Sequence, residues 1–402
     1  MGYVKFSADK IFTGYELVED QVLITNENGV IEKLVLREEA GDDIQHFEGI
    51  LSPGFINCHC HLELSHMKGL IPEKTGLIDF VFKVVTQRHF PAEEIAVAIA
   101  SAENEMLQKG IIAVGDICNN TSTLEQKKKQ HLHYYNFIEA TGWLPQIAAA
   151  RFERSLQCYE QFSKAFSAFS HSSFTIHPTS IVPHAPYSVS EELWKLITPY
   201  FNDKVVSIHN QETAFEDELF LQASGDFIRM YEMMKMDNGF FKASGKSSLQ
   251  TYFSKLAPAK NVILVHNTFT KKEDVDYAKE QAADNQQNLF WCLCVNANLY
   301  IEGALPPISL LQQQNCNIVI GTDSLASNHS LDIVSEIKTI QENYPEILLT
   351  DLFQWAMING AKALNIQDIA GSFEKGKKPG IVLIEGINND KLNDNASSKK
   401  IL

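Results

Sequence analysis

Two regimes of hydrophobic patterning divide the chain. In the first, up to position 49, alternating or apolar runs at Tyr3–Phe6, Gln21–Thr25 and Val30–Leu36 predict short strands. Asn26-Glu27-Asn28-Gly29 between the last two predicts a hairpin turn, because asparagine and glycine tolerate the left-handed backbone of tight turns. From Ile50 onward, short apolar runs alternate with amphipathic stretches. The runs are Ile50–Cys58, Ile111–Ile117, His133–Glu139, Ser180–His184, Val205–His209, Val262–His266, Leu289–Val295 and Ile318–Asp323. Helical periodicity fills most of the intervals, as in Ala92–Gln108 and Ser190–Tyr200. Strands and helices alternating eight times predict an α/β fold, a closed parallel (β/α)8 barrel of the TIM type over residues 50–364. After Leu364, turn-rich Gly371–Gly376 and the apolar run Gly380–Ile384 bring strand character back. Residues 1–49 and 365–402 are therefore expected to build one small β domain, with the polar tail Asn388–Lys400 frayed.

Composition narrows the partners. Apolar residues make up 45% of 402, enough for a large core. The net charge of −16 repels phosphate backbones and anionic bilayers, which argues against nucleic-acid and membrane partners. Seven cysteines without framework spacing, and an N-terminus without a basic start and apolar run, predict a cytoplasmic protein. Lys127-Lys128-Lys129 is read as a solvated helix end.

In a barrel of this kind the chemistry lies at the C-terminal ends of the strands, so the polar residue closing each run matters most. The first run leads into His59-Cys60-His61, whose imidazoles two residues apart face the same side of a strand. They suit a metal, or are structural histidines; Cys58 and Cys60 face the other way as packing residues. His209 closes the fifth run with Glu212 three residues on, a third nitrogen ligand beside a carboxylate free of the metal, or else a surface turn. His266 closes the sixth, as ligand, acid/base or capping group. Asp323 closes the eighth, where a carboxylate at the end of an apolar strand needs a partner: a metal, a salt bridge or a helix N-terminus. His184, stiffened by Pro183 and Pro186, is expected to face a bound ligand, with a structural hydrogen bond as the alternative.

Pro53–Glu63, His184–Ser188, His209–Glu212, His266 and Gly321–Asn328 together resemble the amidohydrolase superfamily, in its mononuclear deaminase and chlorohydrolase branch. The resemblance spans residues 50–384. It implies His59, His61, His209 and Asp323 as ligands of one divalent ion, zinc or, as the alternative, iron. Glu212, His266 and Asp323 would handle protons. His184, Asn328, Glu63 and Arg151 would meet the substrate, Asn328 in a loop closing over it; Glu63 has a structural hydrogen bond as its alternative. Arg151 and Arg154 would reach an anionic substituent, or pair with surface acids. Segment Asn296-Ala297-Asn298-Leu299 departs from the usual Ser-Asn-Leu and touches the pocket floor. Binuclear relatives use a lysine after the fourth strand, and no lysine lies between positions 171 and 190, hence one ion. The activity implied is hydrolytic deamination of an adenine-type nucleoside, in a protein that forms a homodimer. The alternatives are another C–N or C–Cl hydrolase of this kind, or a non-catalytic scaffold.

Overall fold

The computed structural model describes residues 2–167 and 176–402. Near the N-terminus, β1 (Tyr3–Phe12), β2 (Leu17–Val18), β3 (Gln21–Asn26), β4 (Ile31–Leu36) and β5 (Ile44–Ser52) form most of one sheet. The predicted hairpin joins β3 to β4: Gly29 N–H donates to Asn26 O at 3.0 Å, with Gly29 at φ 79°.

Eight parallel strands follow: β6 (Phe55–Cys60), β7 (Ile111–Cys118), β8 (His133–Ala140), β9 (Thr179–Pro183), β10 (Val205–Asn210), β11 (Asn261–His266), β12 (Asn288–Leu293) and β13 (Asn317–Ile320). They pair in sequence order as two four-stranded sheets, β6 to β9 and β10 to β13. The sheets meet at two seams. At one, His209 N–H donates to His184 O at 3.0 Å and Ser180 Oγ–H to Val205 O at 2.8 Å. At the other, the N–H groups of Thr322 and Asp323 both donate to His59 O, at 3.0 and 3.1 Å, and Cys60 bridges Asp323. The strands thus close into the predicted (β/α)8 barrel. Its strands are buried on both faces, as a parallel sheet under helices must be. The expected helix Ala92–Gln108 is present with those bounds. Ser190, predicted inside the next helix, instead caps Glu191–Ile197 by accepting from Leu193 N–H at 3.3 Å.

After the barrel the chain returns to the first sheet with β14 (Val382–Asn388) and β15 (Lys391–Lys400), giving the order β15-β14-β5-β1-β3-β4 with β2 on β1. Three expectations need correction. Ile50–Ser52 belongs to β5 of this sheet, past position 49, because Pro53-Gly54 breaks the run before the barrel strand begins at Phe55. The tail is not frayed: Lys391–Lys400 pairs antiparallel with β14, and Ser398 Oγ–H donates to Lys109 O at 2.8 Å. Lys127 is no solvated helix end; it is fully buried, paired with Asp116 at 2.5 Å and donating to Asn136 Oδ1 at 2.8 Å. No helix among the described residues is long and apolar enough to cross a membrane, and the seven cysteines are free thiols.

Candidate metal and catalytic site

The strand ends bring the sequence candidates to one point. His61 Nε2 lies 3.2 Å from His59 Nε2 and 3.3 Å from His209 Nε2. Asp323 Oδ1 lies 3.6 Å from His59 Nε2 and 3.4 Å from His61 Nε2. Donor atoms this close, with His59, His61 and Asp323 grouped within 4.8 Å of one another and His209 against His61, could hold a metal ion. Electrostatics agrees. Burial lowers the pKa of His59, takes that of His61 down to about 3 and puts that of His209 well below its usual range, which favours the lone-pair-bearing form of each. Burial alone would raise Asp323, but the His59 hydrogen bond and the neighbouring histidines outweigh it and hold the carboxyl well below the usual range. Three imidazole lone pairs and one carboxylate facing one another out of water call for a cation.

Surrounding groups fix these candidate ligands. His209 Nδ1–H donates to His184 O at 2.8 Å, which leaves its Nε2 lone pair for the ion. Ser327 Oγ–H donates to Asp323 Oδ2. Asn57 ties β6 to the eighth strand end, accepting from Thr322 N–H at 3.1 Å and donating to Thr322 Oγ1 at 2.7 Å.

Beside the ligands stands the second pair. His266 Nε2 is 3.6 Å from Glu212 Oε1, and His266 Nδ1–H donates to Asn298 Oδ1 at 2.8 Å. Asn298 is therefore the group that orients His266, and the departure at positions 296–299 leaves that bond intact. Burial raises Glu212 well above the usual carboxylate range, which favours its protonated form. The turn that carries it is braced: Gln211 N–H donates to Glu216 Oε1 at 3.0 Å, and Thr270 Oγ1–H donates to Gln211 Oε1 at 2.8 Å. Gln211, His266 and Asp323 lie at φ 45°, 73° and 56°. Left-handed backbone in non-glycine residues is a strain that concentrates at working sites.

These groups open into a cavity of about 450 Å³ that also takes in His184, Arg88, Arg151, Arg154, Trp143 and Tyr231. His184 faces it with Nδ1 hydrogen-bonded to Ser188 Oγ at 2.7 Å. Two expected substrate contacts lie elsewhere. Glu63 is buried behind the wall, accepting from Asn119 N–H at 3.0 Å and facing Arg88 at 3.6 Å. Asn328 turns away from the cavity, donating to Thr322 O and Glu336 Oε1, both at 2.9 Å; Ser324 of the same loop lines it instead.

Glu139 was not singled out from the sequence. It lines the cavity with Oε1 3.7 Å from His209 Nδ1 and Oε2 accepting from Asn119 Nδ2–H at 2.8 Å. Its signal was available: it closes the third apolar run, as His209 closes the fifth. In the lysine-free stretch 171–190, the described residues begin at 176; Lys127 is held by Asp116 and Asn136 and is not among the cavity walls.

Comparison with known proteins gives the same setting. The Amidohydrolase family model matches residues 50–401. The 5-methylthioadenosine/S-adenosylhomocysteine deaminase of Teredinibacter turnerae is 26% identical over 356 residues, covering 84% of this chain and 72% of its own. An adenosine deaminase of Helicobacter pylori is 25% identical over 340 residues, covering 83% and 78%. The crystal structure of Helicobacter pylori aminofutalosine deaminase in complex with methylthio-coformycin superposes with a TM-score of 0.79 at 21% identity, over 96% of this chain and 93% of that one. With the barrel, the converging ligand set and a family match over residues 50–401, this chain belongs to the amidohydrolase family.

Proposed function

We propose that this protein is a metal-dependent hydrolase that deaminates an adenine-type nucleoside and releases ammonia. The observation that carries the reading is the buried Glu212 carboxyl standing 3.6 Å from His266 and beside His59, His61, His209 and Asp323 in one cavity. The relatives named for deaminating adenosine and its thioether derivatives support the same chemistry. Zinc suits a donor set of three imidazole nitrogens and one carboxylate oxygen, which His59, His61, His209 and Asp323 would supply. When bound, a divalent ion supplies Lewis acidity that makes water nucleophilic near neutral pH.

The side chains supply the rest. Glu212 donates its proton to the ring nitrogen beside the carbon under attack, which makes that carbon electrophilic. Asp323 and His266, whose Nε2 is kept unprotonated by the bond from Nδ1–H to Asn298, take up and hold the proton of the attacking water. The water proton held by Asp323 and His266 passes to the amino group, which leaves as ammonia, and the proton lost from the new hydroxyl as the carbonyl forms restores the Glu212 acid. His184, packed against His209, hydrogen-bonds the base. Seven free thiols support a cytoplasmic location, and the charge of −16 supports a small-molecule substrate over a nucleic acid or a membrane.

Metal-loaded protein given adenosine and 5′-substituted adenosines should release ammonia with the spectral shift from adenine to hypoxanthine. Glu212→Gln should keep its metal and lose about 10²- to 10⁴-fold in turnover. Absence of ammonia from every adenine compound, with release of chloride or of an amide product from other heterocycles, would give the chain to another hydrolase class. Near-normal turnover in Glu212→Gln would remove that residue from the mechanism.

A further inference from the structure

Among the described residues, Lys127 is the one lysine or arginine that is buried, and it has no exposure at all. An ion pair out of water is seldom worth more to stability than apolar atoms of the same volume, so the Lys127–Asp116 pair calls for a second use. All three ammonium hydrogens have partners: Asp116 Oδ2 at 2.5 Å, Asn136 Oδ1 at 2.8 Å and Cys118 Sγ at 3.2 Å. The cation also lies over the Tyr134 ring, 4.7 Å from its centre. Asp116 and Cys118 belong to β7 and Asn136 to β8. One cation therefore spans two barrel strands and fixes the direction of the Asp116 carboxylate.

The other oxygen of that carboxylate leads to the metal site. Asp116 Oδ1 accepts from Leu62 N–H at 2.8 Å, and Leu62 directly follows His61. Asp116 stands opposite Cys60 in the pairing of β6 with β7. His61 itself lies past the last residue of β6, at φ −113° and ψ 75°. Among the described residues none bonds its Nδ1, whereas His209 and Asp323 are aimed by bonds to their outer atoms. The direction of His61 Nε2 therefore rests on the backbone at either side of it, Cys60 in the sheet and Leu62 on Asp116. Leu62 also opens the turn Leu62–Met67, whose first N–H groups need acceptors from outside the turn.

We propose that Asp116 and Lys127 are positioning residues of the metal site, acting on His61 through Leu62. The cation aims the carboxylate, the carboxylate holds the N–H that follows the ligand, and His61 is kept turned toward His59, His209 and Asp323. This role rests on the metal reading of those four residues.

Two double variants separate positioning from packing. Asp116→Leu/Lys127→Met buries no unpaired charge but leaves Leu62 N–H without its acceptor, while Asp116→Asn/Lys127→Met also removes both charges and keeps an oxygen there. Cobalt(II) is the probe, its affinity read by competition with a chelator and its coordination by visible absorption, with thermal melts on the same samples. The first variant should bind cobalt about 10- to 100-fold more weakly than wild type, with an altered spectrum, and the second should recover most of that loss. Leu256→Ala, a fully buried truncation ahead of β11, should melt lower yet keep the wild-type affinity and spectrum. Wild-type cobalt affinity and spectrum in Asp116→Leu/Lys127→Met overturns the assignment, as does an equal loss in both double variants. A loss shared by Leu256→Ala makes the effect one of stability and overturns it as well. Should the leucine variant not fold, Asp116→Ala/Lys127→Met, which also lacks the acceptor, is read by the same outcomes. If wild type binds no cobalt, the metal reading fails first and takes this role with it.

Discussion

Glu216 and Glu336 carry the main pH dependence expected away from the metal ligands. Glu216 lies under the turn bearing Glu212, its Oε1 accepting from Gln211 N–H and from Ser248 Oγ–H at 2.6 Å. Glu336 accepts from Asn328 Nδ2–H at 2.9 Å and from Asn296 N–H at 3.1 Å. Burial pushes each up to about 8. A carboxyl raised above its free value of about 4.3 contributes stability that is fully present below that value and is lost as pH rises through its folded pKa. Melting temperature should therefore decline as pH climbs from about 5 through about 8, and Glu216→Gln/Glu336→Gln, which mimics the protonated acids, should flatten the decline. A slope identical to wild type would show that other groups set it. At this scale the sequence was legible where a residue closes an apolar run, as His209, His266 and Asp323 do. It placed Asn298 only in a segment at the pocket floor, left Glu63 open between a substrate contact and a structural hydrogen bond, and misled on Asn328, because the bonds that aim these side chains come from other segments: Asn119 for Glu63, Glu336 for Asn328.

The strand ends owe their geometry to close approach between neighbours in the barrel. Gly321 shows the tolerance: a methyl group there would meet His59 Cβ and Cys292 Sγ, both at 2.9 Å. Gly321→Ala should displace His59 and weaken metal affinity by about 10- to 100-fold, as loss of groups supporting a ligand does. Titration with a competing chelator measures this, and wild-type affinity would mean the strand yields without moving the ligand. Alternation of apolar runs and helices gave the barrel strands, since a parallel strand buried on both faces is apolar throughout. The same rule missed β15, a polar edge strand without a continuous apolar face, and merged Ile50–Ser52 with the barrel because two buried strands flank Pro53-Gly54. It also misplaced Lys127, whose cation is held inside by Asp116, a partner no local window reveals.

Across the whole molecule, the terminal sheet and the barrel are stitched at many points. Leu392 N–H donates to Gln341 Oε1 at 3.0 Å, Lys338 Nζ to Asp394 O at 2.6 Å, and Ser398 Oγ–H to Lys109 O at 2.8 Å. Removing residues 391–402 should lower the melting temperature by several degrees, because β14 becomes an open edge and these bonds are lost. An unchanged melting curve would show that β15 adds nothing to the fold. β5 has a further consequence through its partners. It pairs with β1 on one side, made just before it, and with β14 on the other, made only after the entire barrel. On the ribosome, the half-built sheet must wait with one flank exposed while all eight barrel strands are synthesised, so Ile50 and Leu51, just ahead of the first barrel strand, stay open to misassociation until β14 emerges.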